Sequence, residues 1–126
     1  MAPWTVLIVD DIDSDSIADS LLDWGIEVVH CATIHEARQV LSAQPVSQVF
    51  CKASLPDGSY RELVRIVKAA QPRSRVVVLI PRNSGQHTFQ EVIESGAFDS
   101  IPAPPTRPDV QWEVLHAMRQ GSEHAA

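Results

Sequence analysis

Two adjacent carboxylates, Asp10 and Asp11, come directly after the short apolar run Val6–Val9. Neighbouring carboxylates at the end of a strand are suited to binding a hard cation such as Mg²⁺; the alternative is a purely structural role. A nucleotide-phosphate site is not indicated, because neither G-x-G-x-x-G nor G-x-x-x-x-G-K-[ST] occurs in the chain. For the nearby Asp13 and Asp15, capping of a following helix is the favoured interpretation.

The sequence indicates no other catalytic or ligating set. The five histidines have no metal-binding spacing, and no nucleophile–base–acid set can be assigned, so the chain is predicted not to be an enzyme. Cys31 and Cys51 could be neighbours on adjacent strands, and we interpret them as small buried thiols. The low cysteine count and an N-terminus without a signal peptide favour a cytoplasmic protein.

The charge distribution argues against two further classes of function. Ten Lys and Arg against sixteen Asp and Glu give a net charge of −6, and the first 23 residues contain six acids and no base. A net acidic chain without a Lys/Arg cluster lacks the electrostatic footprint of a nucleic-acid-binding protein. The longest apolar run, Val76–Ile80, is far too short to span a membrane. Neither nucleic acid nor a membrane is therefore a predicted partner.

Short β-branched runs alternate along the chain with segments of helical periodicity. Helix starts are indicated by capping boxes at Thr33–Glu36, Ser59–Glu62 and Thr88–Glu91, and by Thr106. The predicted strands are Thr5–Val9, Glu27–Cys31, Gln48–Cys51, Arg75–Ile80 and Asp99–Pro102.

This alternation predicts an α/β fold with a doubly wound parallel sheet of five strands, in the order 2-1-3-4-5 and in three αβα layers. The length suits a single domain, predicted over residues 1–120, with a tail over residues 121–126. Ligands of such folds bind at the carboxyl ends of the strands. The functional residues are therefore expected just after Val9, Cys51 and Ile80, and after Pro102.

Three segments resemble the receiver domains of bacterial response regulators, which have a flavodoxin-like (βα)5 fold. Val6–Asp11 resembles their first strand and acidic pair, and Ser54–Gly58, with Pro56, Asp57 and Gly58, resembles the loop after their third strand. Gly96–Asp99 and the later Pro104 resemble the approach to and the end of their fifth strand. The resemblance covers residues 5 to 119, and it implies that Ala103–Pro104 is a cis peptide.

The resemblance also implies a set of site positions, and here several of them are substituted. In receivers the acidic pair binds Mg²⁺ and an Asp at the end of strand 3 accepts a phosphoryl group from a histidine kinase. That position is Lys52 in this chain. In receivers a Thr or Ser at the end of strand 4 and a Lys at the end of strand 5 contact the phosphoryl group, and these positions are Ile80 and Ala103 here. The aromatic residue that takes part in the receiver switch is replaced by Ser100.

These substitutions predict a pocket that has lost phosphotransfer. An amine at position 52 cannot form an acyl phosphate, and Asp10, Asp11 and Lys52 together carry a formal charge of −1 with a cation already present. We therefore expect no cofactor, and only weak Mg²⁺ binding at Asp10 and Asp11. Lys52 is predicted to form an ion pair with Asp10 or Asp11; the alternative is that its amine reaches solvent.

The resulting hypothesis is a degenerate receiver, a pseudo-receiver that acts in two-component, phosphorelay-type signalling as a phosphorylation-independent interaction module. Its partner would be a protein, such as a histidine kinase or an effector domain, or a second copy. The contact surface would be the fourth helix, fifth strand and fifth helix, where Trp112 and Leu115 face either a partner or the core. Two alternatives remain: a phospho-accepting receiver that uses Asp10, Asp11 or Asp57, and the regulatory domain of a longer transcription factor.

Overall fold

A five-stranded parallel sheet forms the centre of the molecule. In the computed structural model, which describes residues 4–10, 15–82 and 85–125, the strand order is β2-β1-β3-β4-β5. The strands are β1 (Thr5–Val9), β2 (Glu27–Cys31), β3 (Gln48–Lys52), β4 (Arg75–Pro81) and β5 (Asp99–Ala103). Both the predicted order and the five predicted strands are confirmed, and β3, β4 and β5 each extend one residue further than expected.

Helices connect the strands. They are α1 (Asp15–Ser20), a 3₁₀ turn (Leu22–Trp24), α2 (Ile34–Ala43), α3 (Tyr60–Ala70), α4 (Gly85–Glu94) and α5 (Arg107–Ala125). Residues 121–125 continue α5. The division into a domain over residues 1–120 and a tail over residues 121–126 stays a prediction.

Three of the four predicted helix starts are confirmed, and one is wrong. Thr33 caps α2 as a capping box should: its side chain accepts a bond from the Glu36 N–H. Ser59 and Thr106 also precede the first residue of a helix. The start predicted at Thr88 is wrong, because α4 begins at Gly85. A Thr and a Glu three residues apart also occur within helices, so this pattern alone does not locate a first turn.

Two apolar cores lie on opposite faces of the sheet. Leu7, Val9, Val49, Cys51 and Val78 face α2, α3 and α4. The alternate residues Val6, Ile8, Phe50, Val77 and Ile101 face α1 and α5. Because side chains alternate along a strand, the central strands are apolar on both faces, as a sheet covered by two helical layers requires.

The side chain of Gln71 connects three backbone segments beneath α2 and α3. Its amide nitrogen donates to the carbonyls of Leu41 and Gln44, at 2.9 and 2.8 Å, and its amide oxygen accepts from the Val46 N–H at 2.7 Å. These bonds satisfy backbone groups that the end of α2 leaves without helical partners. The loop between α2 and β3 is thereby fixed to the end of α3.

Candidate functional site

Asp10 occupies the centre of the carboxyl edge of the sheet. It follows β1, the strand between β2 and β3, and only 8% of its surface is exposed. Its N–H donates to the Cys31 carbonyl at 3.0 Å, and its own carbonyl lies 3.1 Å from Nε2 of His30. The backbone of β1 thus continues its ladder through Asp10. Asp11 lies outside the described residues, so the geometry of the predicted acidic pair is not described.

Lys52 is the last residue of β3 and is half-buried. Val9 pairs with Cys51 in the parallel register, so Asp10 and Lys52 are the next residues along two neighbouring strands. On its other side Lys52 pairs with Leu79 of β4. The fold therefore brings a cationic residue to the middle of this edge, beside the strand that ends in Asp10. The ion pair itself stays a prediction.

The carboxylate of Asp57 binds to the start of α2 and not to the acidic edge of the sheet. Asp57 is exposed, and its two carboxylate oxygens accept from the backbone N–H groups of Ile34 and His35 at 2.9 and 3.0 Å. These bonds lower the pKa of the Asp57 carboxyl below its usual value, the bond from Ile34 contributing most. Asp57 thus caps the N-terminus of α2, a role that the sequence analysis did not identify.

The loop that carries Asp57 rests against α2. Ser54–Leu55 and Gly58–Ser59 form a small antiparallel ribbon, with Pro56 and Asp57 exposed at its turn. A Cβ atom at Gly58 would lie 2.8 Å from Cδ1 of Ile34, so a larger residue there would require the end of the Ile34 side chain to shift.

Ile80 and Ser100, the substituted hydroxyl and aromatic positions, lie close together between β4 and β5. Ile80 and Ser100 line a cleft of about 270 Å³ together with Phe89 of α4. Ile80 provides no hydrogen-bond donor, and Ser100 provides no aromatic ring. The register places Ser100 opposite Val78, two residues before Ile80.

Ala103 ends β5 opposite Pro81. The Ala103–Pro104 peptide is cis, as the resemblance implied. Arg82, exposed at the end of β4, donates from Nη2 to the Pro104 carbonyl at 3.1 Å. The backbone turn after β5 is thus present, while the methyl group of Ala103 brings no charge to the edge.

The two cysteines flank β1. Val9 pairs with Cys31 on one side and with Cys51 on the other, so the thiols are not on adjacent strands. Both are free and buried, and burial raises their pKa, to about 11 for Cys31 and about 12 for Cys51. Such thiols are poor nucleophiles and poor metal ligands.

A buried acid under α5, close to the half-buried Asp99, escaped the sequence analysis. Glu113 is 1% exposed, and burial together with a hydrogen bond and charge repulsion from Asp99 raises the pKa of its carboxyl to about 9. Gln48, also fully buried, donates to the Glu113 carbonyl at 3.1 Å. The available signal was spacing: Glu113 lies three residues after Val110 and four before Ala117, within the core-facing stripe of α5.

Within residues 4–10, 15–82 and 85–125, no three or more His, Cys, Asp or Glu side chains are grouped so as to bind a metal ion. In the same ranges no helix combines the length and apolarity required to cross a membrane.

Comparison with known proteins identifies the fold. No family model matches the chain. The signal receiver domain of a putative LuxO repressor protein from Vibrio parahaemolyticus superposes with a TM-score of 0.86, at 20% identity, over 98% of this chain and 97% of that domain. The beryllofluoride-activated NtrC4 receiver domain dimer superposes with a TM-score of 0.83, at 23% identity, over 92% of this chain and 97% of that chain. This chain has the receiver-domain fold.

A sequence relative points in the same direction. The chain is 28% identical over 120 residues to the hydrogenase transcriptional regulatory protein HoxA of Cupriavidus necator. The match covers 94% of this chain but only 24% of the length of HoxA. The receiver fold here therefore corresponds to about a quarter of that regulator.

Proposed function

We propose that this chain is a response-regulator receiver domain that has lost phosphotransfer and acts in two-component signalling through protein contacts. The observation that carries this proposal is Lys52 at the end of β3, half-buried and next to the strand that leads into Asp10. A receiver fold with an amine at that position has no carboxylate there to accept a phosphoryl group.

The chemistry of the edge supports the same conclusion. Asp10 is buried beside β3, whose last residue carries a positive charge, so a divalent cation would be repelled from the corner that Lys52 occupies. This donor set does not fit Mg²⁺ well. Ile80 and Ala103 add neither a hydrogen-bond donor nor a cation with which to read a phosphoryl group.

Phosphorylation at Asp57 is not supported by its surroundings. Both of its oxygens accept hydrogen bonds from the first turn of α2, and its loop lies against that helix. Formation of an acyl phosphate there would replace these bonds.

The surface of α4, β5 and α5 supports contact with another protein. Four large apolar side chains on the two helices are exposed, from 38 to 56% of their surface: Phe89, Ile93, Trp112 and Leu115. Phe89 and Ile93 lie four residues apart on α4, and Trp112 and Leu115 lie three residues apart on α5, so each pair is on one side of its own helix. Exposed apolar side chains that cluster in this way are typical of interaction surfaces. Trp112 and Leu115 are both exposed, and we propose that the surface of α4, β5 and α5 contacts the partner or a second copy.

Intact-mass measurement tests the loss of phosphotransfer. The protein is incubated with Mg²⁺ and acetyl phosphate, and we expect no mass gain. The variant Lys52→Asp restores a carboxylate at this position and serves as the matched comparison. A mass gain of one phosphoryl group in the unmodified chain would overturn the proposal.

That this chain is the regulatory domain of a longer transcription factor stays a separate prediction. HoxA is about four times as long as the matched segment and is a transcriptional regulatory protein. Reading the gene beyond codon 126 tests whether a basic helix-turn-helix segment follows.

A further inference from the structure

A large cleft opens at the edge of the sheet opposite to Asp10 and Lys52. It has a volume of about 890 Å³ and is lined by residues that precede or begin the central strands, among them Trp4 before β1, Ser47 before β3 and Arg75 at the start of β4. Ala117 of α5 forms part of its wall. Ligand sites of proteins typically measure about 300–1,000 Å³, so the cleft is large enough for a small molecule.

The walls of the cleft are fixed by internal hydrogen bonds. The indole Nε1 of Trp4 donates to Oε1 of the buried Gln48 at 3.3 Å, and Oγ of Ser47 accepts from the Thr5 N–H at 3.1 Å. Gln71, with its three backbone bonds, also lines the cleft. Such walls need little rearrangement when a ligand binds, which lowers the entropic cost of binding.

The charged groups of the lining are of one sign. Arg73 and Arg75 are both present, and none of the described lining residues is acidic. The guanidinium of Arg75 lies 5.6 Å above the ring of Phe98, which restricts its motion. In a protein with a net charge of −6, both charged residues that line this cleft are thus arginines, whose planar guanidinium groups can bind an anion through paired hydrogen bonds.

Besides the polar residues Ser47, Gln71 and Ser74, the lining includes apolar residues, among them three with rings. Trp4 is half-buried, with the edge of its indole engaged by Gln48, and Pro45 and Pro72 add apolar rings nearby. A ligand that fits both features has a planar apolar body and an anionic group. Guanidinium groups bind carboxylates and phosphates through paired hydrogen bonds.

We propose that this cleft binds a small organic anion with a flat apolar body, its charged group on Arg73 and Arg75 and its body against Trp4. The inference is independent of the proposed loss of phosphotransfer, because it concerns the opposite edge of the sheet. Since Ala117 belongs to α5, a bound ligand would touch the helix whose outer face carries Trp112 and Leu115.

The test uses 2-naphthoate as the probe and its neutral analogue 2-naphthalenemethanol as the control. Binding is followed by ¹⁵N NMR through the indole N–H signals, each assigned by a Trp→Phe variant. We expect saturable binding of 2-naphthoate that shifts the Trp4 signal, and about ten-fold weaker binding of the neutral analogue.

Two double variants with equal loss of charge separate the cleft from general electrostatics. Arg73→Gln/Arg75→Gln should weaken 2-naphthoate binding by about ten-fold or more, whereas Arg38→Gln/Arg65→Gln, on the exposed faces of α2 and α3, should leave it unchanged. If the cleft double variant does not fold because the Arg75–Phe98 contact is lost, the single variant Arg73→Gln is measured in its place. The proposal is overturned if no saturable binding occurs, if only the Trp112 signal shifts, if the neutral analogue binds equally well, or if both double variants lose binding equally.

Discussion

Asp10 and Glu113 are both buried acids, but Asp10 lies at the carboxyl edge of the sheet and Glu113 lies under α5, and their neighbours have opposite charges. Asp10 stands beside the strand that ends in the cation Lys52, whereas Glu113 stands beside a second acid, Asp99. A buried carboxyl group is tolerated either when an opposite charge compensates it or when it keeps its proton. At the carboxyl edge we infer that the charge of Lys52 compensates Asp10. Under α5 the raised pKa of Glu113 indicates that this carboxyl group keeps its proton.

The two solutions have different consequences for stability. A fixed ion pair is insensitive to pH over the range in which both partners stay charged. A carboxyl group that is protonated in the folded state and ionised in the unfolded state makes stability depend on pH. The comparison can therefore be tested by measuring unfolding free energies.

The largest effect is expected from Glu113. Its carboxyl loses its proton near pH 4.5 when unfolded and near pH 9 when folded. Between these values the folded state binds a proton that the unfolded state lacks, so stability is fully present below the lower value and falls as the pH rises. Urea denaturation should show this decline, with a slope of at most about 1.4 kcal/mol per pH unit.

The variant Glu113→Gln should remove this slope and unfold at a higher urea concentration than the parent at neutral pH. Glu94→Gln, an exposed acid on α4, is the matched control and should leave the slope unchanged. If the parent and Glu113→Gln showed the same pH dependence, the protonated-acid description of this region would be wrong.

The second largest effect is expected from Lys52. Removing one partner of a fully buried ion pair costs about 3–5 kcal/mol, and because Lys52 is half-buried we expect about 2–3 kcal/mol for Lys52→Ala. Thermal and urea unfolding measure this change. Lys68→Ala, which alters the other lysine of the chain on the exposed face of α3, should have little effect.

A double-mutant cycle sharpens this prediction. If Lys52 pairs with Asp10, the effects of Lys52→Met and Asp10→Asn on the unfolding free energy should not be additive. An unchanged melting temperature in Lys52→Ala would refute any pairing of Lys52.

A smaller effect is expected at the loop that caps α2. Thr33→Ala should lower the unfolding free energy by about 1 kcal/mol, as for other caps, and Asp57→Ala should lower the melting temperature in the same direction. The contribution of Asp57 should be present above its unfolded pKa of 3.8 and lost as the pH falls through its lower folded pKa. Calorimetry at several acidic pH values measures both, and a pH-independent effect of Asp57→Ala would contradict the capping role.

The smallest effect is expected at the cysteines. Because their pKa values are raised to about 11 and about 12, neither thiol should react with a disulfide reagent at mildly alkaline pH in the folded protein. Both should react after denaturation. Rapid reaction in the native state would show that one of them is accessible as a thiolate.

The sequence predicted the sheet well because its signals are local. Runs such as Val76–Ile80 are apolar and mostly β-branched, and the Thr33–Glu36 box caps the first turn of α2 within four residues. The order of the strands followed from the alternation of strands and helices together with the handedness of their connections.

The contacts that were missed join residues far apart in the chain. Asp57 caps a helix that begins 23 residues earlier, and its sequence neighbourhood indicated only an exposed turn. Glu113 was missed because an acid within an apolar stripe is usually assigned to the solvent face. The cleft at Trp4 and Arg75 was missed because the starts of the strands lie far apart in the sequence and come together only in the folded sheet.

The three hydrogen bonds of Gln71 have a consequence for local unfolding. The end of α2, the loop before β3 and the end of α3 share one side-chain amide as their common partner. Opening any one of the three segments breaks bonds on which the others depend. The ends of the two helices should therefore exchange their amide hydrogens as one cooperative unit, instead of fraying independently.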